Sequence, residues 1–317
     1  MNNEFGIKGT ILLLGGTGFI GKSVLDLLNH LNTKKELKII LVSRGLNTEN
    51  FDLNRWHNLE IQWIKKPIDE LQLNDLNTKI DYVIHAATST NSEAKNLNYL
   101  IKTLIFGTMN IVDLCTQLKP RGVLYLSSGA IYGLKRSGPP KFKETDLYAP
   151  DTTDLDQSYG HLKRLNETLW SDFYRKTLTP TAIARCFAFS GKNLDTKSHF
   201  AICNFIEDAK KARSIKISGN GSAVRSYLDE EDLAIWLLTV LIKNKSFDVV
   251  NIGSDEDITI KQLAEAVQSF YPDIKIDIQN IEDIPQNYYV PNITRAKEAY
   301  GLSQSISLKA SLSKMTS

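Results

Sequence analysis

Apolar residues in the first half of the chain fall into short β-rich blocks separated by longer stretches with helical periodicity. The blocks predict strands over 10–14, 37–42, 60–64, 82–85, 123–126 and 181–184. Between them, Val24, Leu25, Leu27, Leu28 and Leu31 recur at the spacing that lines one face of a helix. Leu100, Leu104, Ile111, Val112 and Leu114 repeat that spacing. Strands alternating with amphipathic helices predict a parallel sheet covered on both faces, a doubly wound α/β fold.

Past residue 190 the pattern becomes mixed, through Asn193 to Ser198 and Gly219-Asn220-Gly221. Asp229 to Asp232 form an acidic start, reading as a cap, to an apolar helix over 233–242 that contains Trp236, a core or subunit-contact residue. A strand is expected over 247–252, a helix over 260–270 with Thr259 as its N-cap, and a short strand over 274–278. The division that follows is a doubly wound domain over 1–190, with 225–255 returning to it, and a smaller mixed lobe over 191–224 and 256–317.

Composition narrows the function classes. The 317 residues suffice for a domain of this size with a real core, and 42% apolar with 23% charged residues is ordinary globular usage. The formal charge of +2, from 38 basic and 36 acidic residues without a dense basic block, argues against a nucleic-acid partner. Lys34-Lys35, Lys65-Lys66 and Lys210-Lys211 read as solvated pairs. The apolar runs 11–14 and 234–242 fall short of the roughly 20 residues of a spanning helix, so no membrane span is expected. Cys115, Cys186 and Cys203 show no C-x-x-C spacing, and the start MNNEFGIKGT has no leader pattern, which reads as a reducing, cytoplasmic setting. The five histidines have no metal spacing, and His85, inside an apolar strand, reads as a core residue.

The chemistry sits at the ends of the predicted strands. The block over 11–14 runs into Gly15-Gly16-Thr17-Gly18-Phe19-Ile20-Gly21 and then a helix, the context in which glycines admit a pyrophosphate to free N–H groups. The second strand ends in Ser43-Arg44, where a carboxylate would accept from the ribose 2′-hydroxyl of NAD; a hydroxyl and a guanidinium suit a 2′-phosphate, so NADP is favoured over NAD. Further on, Ser158-Tyr159-Gly160-His161-Leu162-Lys163 opens a helical stretch. Residues four apart share a helix face, so Tyr159 and Lys163 can meet one ligand, and the ammonium is expected to lower the phenol's pKa from ~10. Between these motifs, Ser127 and Ser128 end a buried strand, the position from which a hydroxyl can orient a substrate oxygen.

Taken in order, these segments resemble an extended short-chain dehydrogenase/reductase of the NAD-dependent epimerase/dehydratase type, with a Rossmann fold. The resemblance runs on through Asp81-Tyr82-Val83-Ile84-His85-Ala86-Ala87, Ala184-Arg185-Cys186-Phe187-Ala188-Phe189-Ser190-Gly191, Arg225-Ser226-Tyr227-Leu228-Asp229, Asn251-Ile252-Gly253-Ser254 and Tyr289-Val290-Pro291-Asn292. It implies Ser128, Tyr159 and Lys163 as catalytic residues. Gly15, Thr17, Gly18, Phe19, Ile20, Gly21, Ser43, Arg44, Ala86 and Ala87 would bind the cofactor, together with Tyr159 and Lys163. Ser128 and Arg225 would bind substrate, with Arg225 gripping a diphosphate.

The chain also departs from the pattern. Gly129-Ala130 stand where the dehydratase branch has Asp-Glu, which disfavours dehydration. Ala188, Leu104 and Lys65-Lys66-Pro67 replace an expected sugar-contacting Asn, a helix Asn and an acidic residue near the adenine. The resemblance therefore implies hydride transfer on a nucleotide-activated sugar of the kind used for polysaccharide biosynthesis. The expected chemistry is 4-ketoreduction with NADPH and Tyr159 as acid/base; the alternative is a 4-epimerase holding NAD, and a minor alternative is a non-catalytic dinucleotide-binding protein. A homodimer formed through a helix bundle is also implied.

Overall fold

In chain order the strands are β1 (Gly9–Leu14), β2 (Leu37–Ser43), β3 (Glu60–Lys65), β4 (Tyr82–His85), β5 (Gly122–Ser128), β6 (Thr181–Cys186), β7 (Phe189–Ser190), β8 (Ile215–Ile217), β9 (Val224–Arg225), β10 (Leu228–Asp229), β11 (Phe247–Ile252), β12 (Ile258–Thr259), β13 (Ile276–Ile278) and β14 (Tyr288–Tyr289). The helices are α1 (Phe19–Leu31), α2 (Leu97–Leu100), α3 (Gly107–Leu118), α4 (Ser158–Thr177), α5 (Ala201–Lys210), α6 (Glu230–Lys243), α7 (Ile260–Gln268), α8 (Thr294–Tyr300) and α9 (Leu308–Thr316). This computed structural model describes residues 6–32, 34–45, 51–88, 96–134, 141–195, 200–211, 213–279 and 287–317, so 196–198 of the mixed region lie outside the described residues.

Seven strands form one parallel sheet in the order β11-β6-β5-β4-β1-β2-β3. The runs of β1, β2 and β4 are largely apolar because both faces are buried there, whereas the edge strand β3 exposes Glu60, Gln62 and Lys65. Ile11 and Leu13 of β1 enter one core and Leu12 and Leu14 the other; Ile39 and Leu41 alternate with Ile40 and Val42 in β2. Helices α1 and α6 cover the first face, α3 and α4 the second. The strand order reverses between β1 and β4, which opens a crevice at their carboxyl ends.

A third core joins α5, α7 and α9 with the β8/β13 pair. Two further small sheets, β7/β10 and β12/β9/β14, connect it to the main sheet region. Ile293, Ala296, Tyr300 and Leu302, grouped by sequence with the second lobe, pack instead into the first core, because α8 lies against β11 and α6.

The acidic run before α6 is structural. Asp229 caps the helix by accepting from the Glu231 N–H at 2.9 Å, Glu230 accepts from the N–H groups of Lys192 and Asn193, and Asp232 holds Ser305 and Ile306. Thr259 and Gln262 cap α7 reciprocally. Trp236 is 1% exposed.

The structure changes one expectation about length. Helix α2 continues through a π-helical turn, Ile101–Phe106, into α3, and the resulting Leu97–Leu118 is, by length and composition alone, apolar enough to cross a membrane. Lys102 and the threonines interrupt its apolar run, so no continuous block shows in the sequence. Its Leu100, Leu104, Ile111 and Leu114 are buried, as on a helix packed on a core.

Candidate active site

The crevice is floored by the loop after β1. Gly15, at φ 81°, runs against the chain after β4: a Cβ there would lie 2.8 Å from the Ala86 carbonyl oxygen and from the Ala87 nitrogen. A Cβ on Gly21 would lie 2.4 Å from the Gly16 Cα, so this glycine seats α1 on the loop. Gly18 differs. It is exposed at φ −79°, and the nearest protein atom to an added Cβ is the Gly15 carbonyl oxygen at 3.5 Å, so nothing in the chain demands glycine there. No side chain caps the α1 N-terminus, and no acidic residue sits in its first turn. A cradle closed to side chains, ending in uncapped N–H groups, fits a dinucleotide pyrophosphate. Thr17 is half-buried in this loop, whereas Phe19 stacks on Phe189 at 6.2 Å and Ile20 packs on the first core, so these two offer the ligand backbone.

At the end of β2 the Ser43 hydroxyl is buried and accepts from the Trp63 indole N–H at 2.9 Å. The Arg44 guanidinium lies over the Tyr99 ring at 5.2 Å. Lys65 rests over Trp63, and Lys66 pairs with Asp75 at 2.7 Å.

The structure brings Ser128, Tyr159 and Lys163 together where β5 meets α4. Burial pushes the Tyr159 phenol up to about 12, and the neighbouring hydroxyls of Thr88 and Ser128 pull it back only in part. Lys163 is 2% exposed; its ammonium donates to the Leu126 carbonyl at 2.7 Å and lies 4.8 Å from the Tyr125 ring centroid and 5.7 Å from that of Tyr159. Desolvation pulls its pKa down to about 8, against the nearby Glu167 carboxylate, which favours the ammonium. The expected lowering of the phenol is therefore reversed here, since burial acts on both groups and Lys163 is anchored to a backbone carbonyl. His85 is a neutral core residue: burial and Lys163 hold it down to about 3, and its ring meets Tyr125 and Trp170 edge-on.

Sequence reasoning missed three residues of the site. Thr88 follows Ala86-Ala87 and meets Tyr159. Cys186, paired in register with Ser128, faces both Tyr159 and Lys163, and burial holds its thiol protonated. Tyr289 reaches in from the second lobe: its hydroxyl would lie 2.7 Å from a Cβ on Gly129, and its ring is 4.7 Å from Phe187. Only its place in a segment matching late elements hinted at this. Tyr289 also lies between Ser128 and Arg225, whose guanidinium is 5.8 Å from its ring and donates to the Val224 and Asn287 carbonyls. Beyond Arg225 a cleft of about 380 Å³ is lined by Asn204, Phe205, Gly219, Asn220, Ser222 and Asn287.

A glycine cradle at the sheet crevice with a Ser–Tyr–Lys cluster beside it defines an enzyme that works with a nicotinamide dinucleotide. The family model described as the NAD dependent epimerase/dehydratase family matches residues 11–253, and the chain belongs to that family. Among curated proteins, UDP-glucuronic acid decarboxylase 6 of Arabidopsis thaliana is 28% identical, over 95% of this chain and 86% of its own. UDP-glucuronic acid decarboxylase 1 of Danio rerio is 26% identical, over 96% of this chain and 71% of its own. A solved UDP-glucose 4-epimerase of Thermotoga maritima, with UDP-glucose, has a TM-score of 0.82 at 21% identity over 97% of both chains. A UDP-glucuronic acid 4-epimerase of Bacillus cereus, with NAD and a fluorinated substrate analogue, has a TM-score of 0.83 at 20% identity, over 97% of this chain and 98% of its own. At these identities the solved structures speak to the fold.

Proposed function

We propose that the chain transfers a hydride at C4 of a nucleoside-diphosphate sugar and works as a 4-epimerase that retains NAD. One observation carries this reading: Tyr159 and Ser128 share one position at the sheet edge, while Gly129 and Ala130 supply no carboxyl beside them. Tyr289 and Phe187 fill the space a side chain on residue 129 would need. A cluster with one proton-transferring side chain suits oxidation and reduction at one oxygen, and lacks the extra acid and base that dehydration requires.

When bound, the dinucleotide supplies a hydride acceptor and donor at its nicotinamide ring. Ser128 orients the sugar hydroxyl; Tyr159, which burial holds protonated in the ligand-free chain, has to be ionised beside the Lys163 ammonium before it can take that proton and later return it. The Lys163 ammonium, charged at pH 7 with a pKa of about 8, offsets the phenolate. Arg225 holds the diphosphate as a fork of donors, which sets the sugar across Tyr289 and the nucleoside toward the 380 Å³ cleft.

The sequence expectation leaned to net reduction with NADPH, because Ser43-Arg44 offer no carboxylate. Two observations favour retained NAD: the Ser43 hydroxyl already serves Trp63, and Arg44 rests on Tyr99. The solved 4-epimerase carrying NAD adds support. The three cysteines are buried and in no disulfide, which supports a reducing, cytoplasmic setting.

The test is to extract the dinucleotide from the purified chain and then supply UDP-glucose, UDP-N-acetylglucosamine and UDP-glucuronic acid. We expect bound NAD, C4-epimer formation without net change in nicotinamide absorbance, and loss of turnover but not of dinucleotide in Tyr159→Phe. Stoichiometric NADPH consumption by a 4-keto sugar would establish the ketoreductase instead, and CO2 release from UDP-glucuronic acid a decarboxylase. Dinucleotide binding without turnover of any of these would leave a non-catalytic protein.

A further inference from the structure

Three consecutive residues at the end of β5 are each met by one residue of α4, at successive helical turns. Ser128 meets Tyr159, the Leu126 carbonyl accepts from Lys163, and the Ser127 hydroxyl donates to the Glu167 carboxylate at 2.5 Å. Positions 159, 163 and 167 are four apart and so share one helix face. The first two contacts belong to the proposed chemistry, and the third does not.

Glu167 is 13% exposed and pairs with Arg185 of β6, 11% exposed, through Nη2 at 2.8 Å and Nε at 3.1 Å. Arg185 also donates to the Tyr132 hydroxyl at 2.8 Å and to the Glu144 carbonyl at 2.9 Å, and Tyr132 in turn donates to Asn251 of β11. Ser127 and Arg185 are directly paired in the sheet, as are Ser128 and Cys186 one step on. A fork-to-carboxylate pair has a fixed geometry, so this one ties helix and two strands in a single arrangement immediately beside the reacting hydroxyls.

We propose that Glu167 is a positioning residue: through Ser127 and Arg185 it fixes the approach of Tyr159 and Lys163 to Ser128. The proposal rests on the hydride-transfer reading above. Glu167 touches neither Ser128 nor Tyr159, and it contributes by holding α4 at the distance from β5 that those two residues need. A shift of about 1 Å between reacting groups costs on the order of a hundredfold in rate, so small movements of α4 are visible in kcat.

A single Glu167→Gln strands the Arg185 charge and confounds stability with placement, so the double variant Glu167→Gln/Arg185→Met is the arbiter. Removing both charges should bring the thermal midpoint of the ligand-free chain back toward the parent value. For positioning, kcat of the double variant stays down by about tenfold or more while KM for the nucleotide sugar holds within about twofold. Ser127→Ala, which leaves the ion pair intact, should lower kcat by about threefold or more with KM within about twofold, while the thermal midpoint falls by no more than the loss of one hydrogen bond allows. Parental kcat in the double variant, or parental kcat in Ser127→Ala, overturns the proposal. If the double variant does not fold, Ser127→Ala decides alone. Absence of turnover in the parent chain with every nucleotide sugar defeats the functional reading, and this proposal falls with it; parental turnover with unaltered variants defeats this proposal only.

Discussion

Lys163 is the residue on which burial acts most plainly. The unfolded chain holds the lysine proton up to about 10.5 and the folded chain only up to about 8, so between these values folding releases a proton and rising pH stabilises the fold. We expect the unfolding free energy of the parent to rise relative to Lys163→Met by about 1.4 kcal/mol per pH unit inside that window, and not below it. A difference that stays flat with pH, followed by denaturant unfolding, would show that Lys163 is not desolvated. The positions of Ser128, Tyr159 and Lys163 were legible in the sequence, because spacing along a helix and a strand end are local properties. The direction of the phenol's shift was not, since it depends on Thr88, Cys186 and enclosure by elements far along the chain. Tyr289 was hidden for the same reason: it comes from a two-residue strand of the other lobe.

At the scale of elements, the loop between β1 and α1 separates two uses of glycine. A methyl group on Gly21 meets the Gly16 backbone at 2.4 Å, so Gly21→Ala should force α1 from the sheet and lower stability by about 1–3 kcal/mol, measured by denaturant unfolding. A methyl group on Gly18 meets nothing in the chain closer than 3.5 Å. Gly18→Ala should leave the unfolding midpoint near the parent value and weaken dinucleotide binding about tenfold or more, measured by titration with NAD. Loss of stability with unchanged binding in Gly18→Ala would reverse the two assignments. The long strands and the Thr259 cap were legible from composition and periodicity. The strands β7, β9, β10, β12 and β14 were not: two residues carry no readable period, and tertiary pairing alone creates them. The π-helical turn at Ile101–Phe106 has no signature in the sequence that we can name.

For the whole molecule, the helix Leu97–Leu118 and α4 lie side by side and turn apolar residues outward. Phe106 is 58% exposed, Met109 46% and Leu165 46%, with Leu97 and Leu155 also exposed. Large apolar side chains on two neighbouring helices suit association with a second copy, and a homodimer remains our proposal for this face. We expect a dimer by sedimentation and a monomer for Phe106→Glu/Met109→Glu; a parent chain that is monomeric at micromolar concentration would remove it. The place of α8 was not legible, because it follows the second lobe in sequence and packs on the first core.

The pairing of Ser127 with Arg185 bears on how the sheet assembles. Sliding β6 past β5 by one residue would turn every side chain of β6 to the opposite face and carry the guanidinium away from Glu167 into apolar surroundings. A sheet slipped by one residue thus contains a charge with no counter-ion, which the native alignment avoids.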